Sequence, residues 1–202
     1  MTPSSEIDAI RQQGILAALA GFPFLLVFGV VWLAAGALSY WIPSSVAPWI
    51  YPSLGGVAVP IAIAIERRLG YVAASNPDPL LPLTLQLLFV QIVAFPAILL
   101  VWDATPHFMP VAFAAVVGAH FLPFQWVYRT RVYGVLAVVV AVGPFVLALL
   151  FGQAVLHYTG FFVGGTLLVG AFFVRSHAAA TWAASGQAAP QRQAANDTAR
   201  RH

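Results

Sequence analysis

The chain has 202 residues, of which 61% are hydrophobic and only 7% charged, with a formal net charge of +3. A soluble domain carries roughly 25% charged residues, so this composition excludes an ordinary water-dispersed fold. Cysteine and lysine are both absent, which excludes disulfides, thiolate catalysis, iron–sulfur clusters, Cys-ligated zinc, Schiff-base chemistry and a P-loop lysine.

All nine cationic residues are arginines, and they alternate with the apolar segments. Arg11 precedes the first segment; Arg67 and Arg68 follow the second, Arg129 and Arg131 the fourth, and Arg175, Arg192, Arg200 and Arg201 the sixth. The intervening connections at 39–48, 102–108 and 152–156 carry none. Short cytoplasmic loops retain basic residues and translocated ones lose them. The pattern therefore predicts an all-α, polytopic inner-membrane protein with six transmembrane helices and both termini cytoplasmic. The arginines are spread over loops and a tail, so the basic pI points to anionic lipid headgroups and not to nucleic acid.

A membrane helix needs about 20 mainly apolar residues. The opening polar segment, 1–13, lacks a basic n-region and does not read as a cleavable signal. Ser4 or Ser5 is placed to cap a short turn there. The transmembrane domain, 14–176, then divides into segments at 15–38, 48–65, 81–101, 108–127, 132–151 and 156–174. The stretch 177–202 is rich in Ala, Gln, Ser and Arg and reads as a disordered basic tail. Aromatic residues gather at the predicted outer ends (Tyr40, Trp41, Trp49, Tyr51, Trp102, Tyr158) and inner ends (Tyr71, Trp126, Tyr128, Tyr133), as interfacial belts do. The Asn76-Pro77-Asp78-Pro79 run marks the one substantial inner loop. Pro23, Pro60, Pro96, Pro123 and Pro144 place one proline in each of the first five segments, where each removes an intrahelical bond. Gly160 and Gly164 on the sixth permit close helix approach, within the bundle or in a homodimer.

No Asp, Glu, Lys or Arg lies in the central span of any segment, which weakens an ion-coupled mechanism. The polar groups at depth are Gln86 and Gln91 on the third segment and His120 and Gln125 on the fourth. In an antiparallel hairpin turning near Thr105–Pro106, Gln91 falls level with His120 and Gln86 with Gln125. At a rise of about 1.5 Å per residue, the first pair lies roughly 12–14 Å and the second roughly 5–6 Å above the inner boundary. A direct Gln91–His120 contact is the expectation, with Gln86 and Gln125 nearer the inner mouth. Two readings stay open: packing glue, worth about 0.6 kcal/mol on average, or a ligand or proton site. Asp103, His107 and His157 fall near the outer surface at no recognised metal spacing and read as surface residues. Glu66 beside Arg67 and Arg68 reads as an inner-surface ion-pair group.

The run from Gly118 through Ala119-His120-Phe121-Leu122-Pro123-Phe124-Gln125-Trp126-Val127-Tyr128 to Arg129, with Asn76-Pro77 upstream, resembles an uncharacterised family of bacterial six-helix membrane proteins, DUF7010. The likeness is best over the middle third of the chain, and Gln125 departs from the family pattern. It implies architecture and draws attention to His120 without supplying a reaction.

The functional expectation is a carrier or binding protein for a small apolar or amphiphilic molecule, in a cavity lined by segments three and four. His120 and Gln91 would be its polar contacts, Gln86 and Gln125 would lie toward the inner mouth, and Trp126 and Tyr128 would form the inner rim. The alternative is a non-catalytic membrane accessory or assembly subunit. No nucleophile pair, paired carboxylates or metal set is grouped at depth, so no catalytic residue, metal or cofactor is assigned.

Overall fold

The computed structural model of the chain describes residues 3–69 and 80–185. Tyr71, the Asn76–Pro79 turn, Arg192, Arg200 and Arg201 lie outside the described residues. The chain is helical: α1 (Pro3–Ala18), α2 (Phe22–Leu38), α3 (Ile50–Arg68), α4 (Leu81–Ala104), α5 (Met109–Val127), α6 (Val132–Phe151) and α7 (Val155–Ala184). Short 3-10 turns at Leu19–Gly21, Ala47–Trp49, Pro106–Phe108 and Gly152–Ala154 join or open these helices. Five stretches are long and apolar enough to cross a membrane: Ser5–Leu38, Ala47–Arg68, Pro82–Ala104, Pro106–Val127 and Val132–Ala184. The last takes in both α6 and α7, which part at Gly152 and pack along each other. Gly152 adopts φ 54° and ψ −129°, a conformation that glycine alone reaches readily.

Two corrections concern the chain ends. The first apolar segment is not one continuous helix over 15–38, because Leu19, Ala20 and Gly21 take left-handed backbone angles and separate α1 from α2. Pro23 consequently sits in the first turn of α2, where its missing N–H breaks no helical bond. The polar start belongs to a 16-residue helix and not to a short capping turn. At the other end α7 continues to Ala184, through the beginning of the stretch expected to be disordered. Its 30 residues span about 45 Å, well beyond a hydrocarbon core of about 30 Å. The run Ala178-Ala179-Ala180 and the alanines after Trp182 are strong helix formers, which explains the continuation.

The centre of the bundle is α2, α5, α6 and α7, with α3 lying on α2 and α4 attached mainly to α5. Glycine sets the closest contact. A Cβ built on Gly160 would fall 2.5 Å from the Gly36 Cα, and one on Gly164 would fall 2.7 Å from the Gly29 carbonyl oxygen. The Gly160 and Gly164 face is therefore occupied by α2 of the same chain, with both residues buried. A homodimer through these two glycines has no free surface there. Between the levels of Gly29 and Gly36, Trp32 stacks on Phe113 at 5.6 Å and meets Tyr51 at 5.1 Å, tying α2 to α5 and α3. The lower core is built from Phe121, Phe124, Tyr128, Tyr133, Leu136 and Val140. The α4 helix is the peripheral one: over residues 82–104 Ile98 alone is fully buried. Its Phe89, Val90, Ile92 and Val93 are exposed, a face suited to lipid and not to water.

Candidate functional site

Polar side chains within the bundle find partners mostly on backbone. The Tyr133 hydroxyl donates to the Ala20 carbonyl at 2.6 Å, and the Tyr51 hydroxyl donates to the Leu156 carbonyl at 2.6 Å. The Thr159 hydroxyl donates to Val155 one turn earlier at 2.8 Å. Ser39 is 1% exposed; its hydroxyl donates to the Gly36 carbonyl at 2.6 Å, and His157 Nδ1 donates to Ser39 Oγ at 2.7 Å. The His157 ring also stacks on Tyr40 at 4.2 Å. His157 is thus held by Ser39 and Tyr40, the two residues just past the end of α2. Among the described residues no group of three His, Cys, Asp or Glu is placed to hold a metal.

The C-terminal end of α5 is held by α1 and α7. The last carbonyls of a helix lack intrahelical partners and carry the negative end of its dipole. Arg11 on α1 donates to the Trp126 carbonyl, and its guanidinium lies 4.6 Å from the Trp126 ring centroid. His177 Nε2 on α7 donates to the Tyr128 carbonyl at 3.0 Å. Arg129, just past the helix, takes a left-handed φ of 52° and pairs with Asp8 of α1 at 3.4 Å. Trp126 is half exposed, whereas Tyr128 is buried, stacked on Phe124 at 5.5 Å. Tyr128 is therefore a core residue and not part of a cavity rim.

His120 occupies the α4–α5 contact, as its depth implies, but with a different partner. Its Nδ1 donates to the Leu87 carbonyl at 3.0 Å, and no hydrogen bond joins it to Gln91 among the described residues. Gln91 stands one turn farther along α4. A helical carbonyl points toward the helix C-terminus, so the Leu87 oxygen lies between the levels of Leu87 and Gln91 and competes directly for the imidazole. The flanking Phe121 and Phe124 rings, with centroids at 5.6 and 4.9 Å, enclose His120 in aromatic carbon. Gln86 is exposed. Gln125 turns away from it, its amide lying where a side chain on Gly134 of α6 would be. The two glutamines are not brought together. The other His120 ring nitrogen makes no hydrogen bond among the described residues. On the same helix as Leu87, the Thr84 hydroxyl is buried with no hydrogen-bond partner. Nothing in the sequence pattern singled out Thr84, because a threonine inside a membrane helix ordinarily bonds its own preceding turn.

Long apolar helices, an interior of small-residue contacts and backbone-satisfied polar side chains together define an α-helical membrane protein. The model of DUF7010, a family of unknown function, matches residues 7–177, and the chain belongs to that family. No curated protein and no solved structure matches it.

Proposed function

We propose that this is a bacterial inner-membrane protein that crosses the bilayer six times with both ends cytoplasmic, and that it binds a small amphiphilic molecule without catalysing a reaction. The six crossings count α6 and α7 separately and follow the alternation of arginine-bearing and arginine-free connections.

The observation that carries the binding reading is the incomplete polar patch on α4–α5. Thr84 keeps a buried hydroxyl without a partner, and His120 keeps one ring nitrogen outside its bond to Leu87. A buried unsatisfied hydroxyl costs about 1–3 kcal/mol, which a ligand's polar head would offset. Gln91, half-buried on the same helix, adds an amide. A groove of about 560 Å³ between α4, α5 and α6, lined by Val101, Phe108, Ala112, Val142 and Phe145 among others, lies farther along the pair toward the α4–α5 turn and would take an apolar body, but its lining does not include Thr84, Gln91 or His120. Elsewhere in the bundle Ser39, Tyr51, Tyr133 and Thr159 already have partners, an arrangement that leaves little to solvate a polar solute.

A second reading, an accessory subunit, is favoured by the exposed apolar face of α4 at Phe89, Val90, Ile92 and Val93, which would suit a neighbouring membrane helix. Native mass spectrometry of the purified protein separates the two. A bound species of small-molecule mass, depleted in His120→Ala, supports the binding reading. A stoichiometric second protein with no small molecule supports the accessory.

A further inference from the structure

A groove of about 740 Å³ runs between α6 and α7, on the Val135 and Val139 face of α6, turned away from Ala137 and Ala141, which meet Gly118 of α5. Its size is that of a ligand pocket, for which roughly 300–1,000 Å³ is usual. Val135 and Val139 form one wall, and Phe162, Gly165 and Phe173 the other. Two features give it shape. A Cβ on Gly165 would meet nothing within 4 Å, so the missing side chain is what opens the groove. At the far end the Phe162 ring lies where a side chain on Gly143 would be and closes it.

The length and the charge of the groove identify its occupant. From Phe162 to Phe173 the helix rises about 16 Å, and one leaflet of a hydrocarbon core is about 15 Å deep. Arg131 stands at the mouth of the groove. It is exposed and forms no ion pair with any described residue, unlike Arg129, which meets Asp8. An apolar channel one leaflet deep, ending on an unpaired guanidinium at headgroup level, matches the acyl chain and phosphate of a single lipid. We propose that the α6–α7 groove is a binding site for one anionic phospholipid of the inner leaflet, its acyl chain along Val135, Val139 and Gly165 and its phosphate on Arg131. The site is separate from the α4–α5 patch and rests only on the orientation that places Arg131 at the inner surface.

The test uses the full-length protein in nanodiscs of phosphatidylcholine, to which phosphatidylglycerol with a photoactivatable diazirine on its acyl chain is added. Crosslinks are mapped by peptide mass spectrometry. The proposal expects labelling concentrated on residues 135–139 and 162–173. Unlabelled phosphatidylglycerol should compete better than added phosphatidylcholine, by about fivefold for one basic contact near the surface. Arg131→Gln should remove that preference and leave the residual labelling in place. Arg131→Lys should restore part of it, and Gly165→Leu, for which there is space, should lower labelling by either lipid. Equal competition by the two lipids, an unchanged preference in Arg131→Gln, or labelling equally heavy on the outward face of α4 would each overturn the proposal. A dimer that Gly165→Leu dissociates would assign the groove to a second copy and overturn it as well. A small molecule bound through His120 would persist in every one of these variants, so the two sites fail independently.

Discussion

The Tyr133 hydroxyl on α6 donates a 2.6 Å hydrogen bond to the carbonyl of Ala20, the middle residue of the break between α1 and α2. Tyr133 is 2% exposed, and Gly21, the last residue of the break, leaves no room for a Cβ against the same hydroxyl. Left-handed backbone costs roughly 1–2 kcal/mol per L-residue, and Leu19 and Ala20 both adopt it. The phenol stabilises that conformation by satisfying the carbonyl it exposes. α1 is then free to reach across to the end of α5.

Removing that bond should be felt. Tyr133→Phe is expected to lower stability by about 1–3 kcal/mol, because it leaves a buried carbonyl without its side-chain donor. Tyr51→Phe should cost less, near the ~0.6 kcal/mol average for side-chain hydrogen bonds in membrane bundles. There the acceptor, Leu156, lies within the regular helix α7. Thermal unfolding of the two variants in the same detergent measures the difference, and equal losses would contradict the special role of Ala20.

The glycines of α7 should divide sharply. Gly160→Ala brings a methyl group onto the backbone of Gly36 and is expected to cost about 1–3 kcal/mol through overpacking. Gly165→Ala enters open space and should leave the melting temperature nearly unchanged. A reversed order would mean that α2 and α7 do not meet at this face.

At the α4–α5 contact, Thr84→Val should leave the free protein as stable as the wild type or more so, since it removes an unsatisfied buried hydroxyl. The same variant should weaken the bound-species signal in native mass spectrometry. His120→Ala should weaken that signal and also lower stability, because it breaks the bond to Leu87. Were both variants to retain the full signal, the patch would be packing alone.

The charged contacts of α1 are not equivalent. Asp8 and Arg129 are each 47% exposed at the side chain, so Asp8→Asn should change stability by only ~0–1 kcal/mol. Arg11 is 15% exposed, bonds the end of α5 and lies on Trp126. Arg11→Ala should be the more damaging change by thermal unfolding at any salt concentration, whereas the Asp8 effect should fade as salt rises.

Much of this architecture is legible in the sequence because apolar runs end on residues with a physical reason to stop them. Arg129 and Arg131 bracket the α5–α6 turn, and Pro106 opens the 3-10 turn before α5. The expected bounds of 132–151 for α6 match the helix Val132–Phe151. The break at Leu19–Gly21 is hidden, because Ile15-Leu16-Ala17-Ala18-Leu19-Ala20 reads as uninterrupted helix former and the backbone reversal depends on Tyr133, far along the chain. The Leu87 partner of His120 is hidden for another reason: depth matching compares side chains, and the acceptor is a main-chain carbonyl. Gly160 and Gly164 announce a close contact, but their spacing says nothing of Gly29 and Gly36 as the partners.

The central claim, that the helices cross in strict alternation, is tested most directly by sided labelling. The chain lacks cysteine, so a single introduced thiol is the only reactive one. Thr105, Arg129 and Gln153 are all exposed and are each to be replaced by Cys in separate proteins, then treated in intact cells with a membrane-impermeant maleimide. The alternating arrangement predicts labelling at positions 105 and 153 from outside and at 129 only after the membrane is opened. Labelling of positions 105 and 129 from the same side would contradict it.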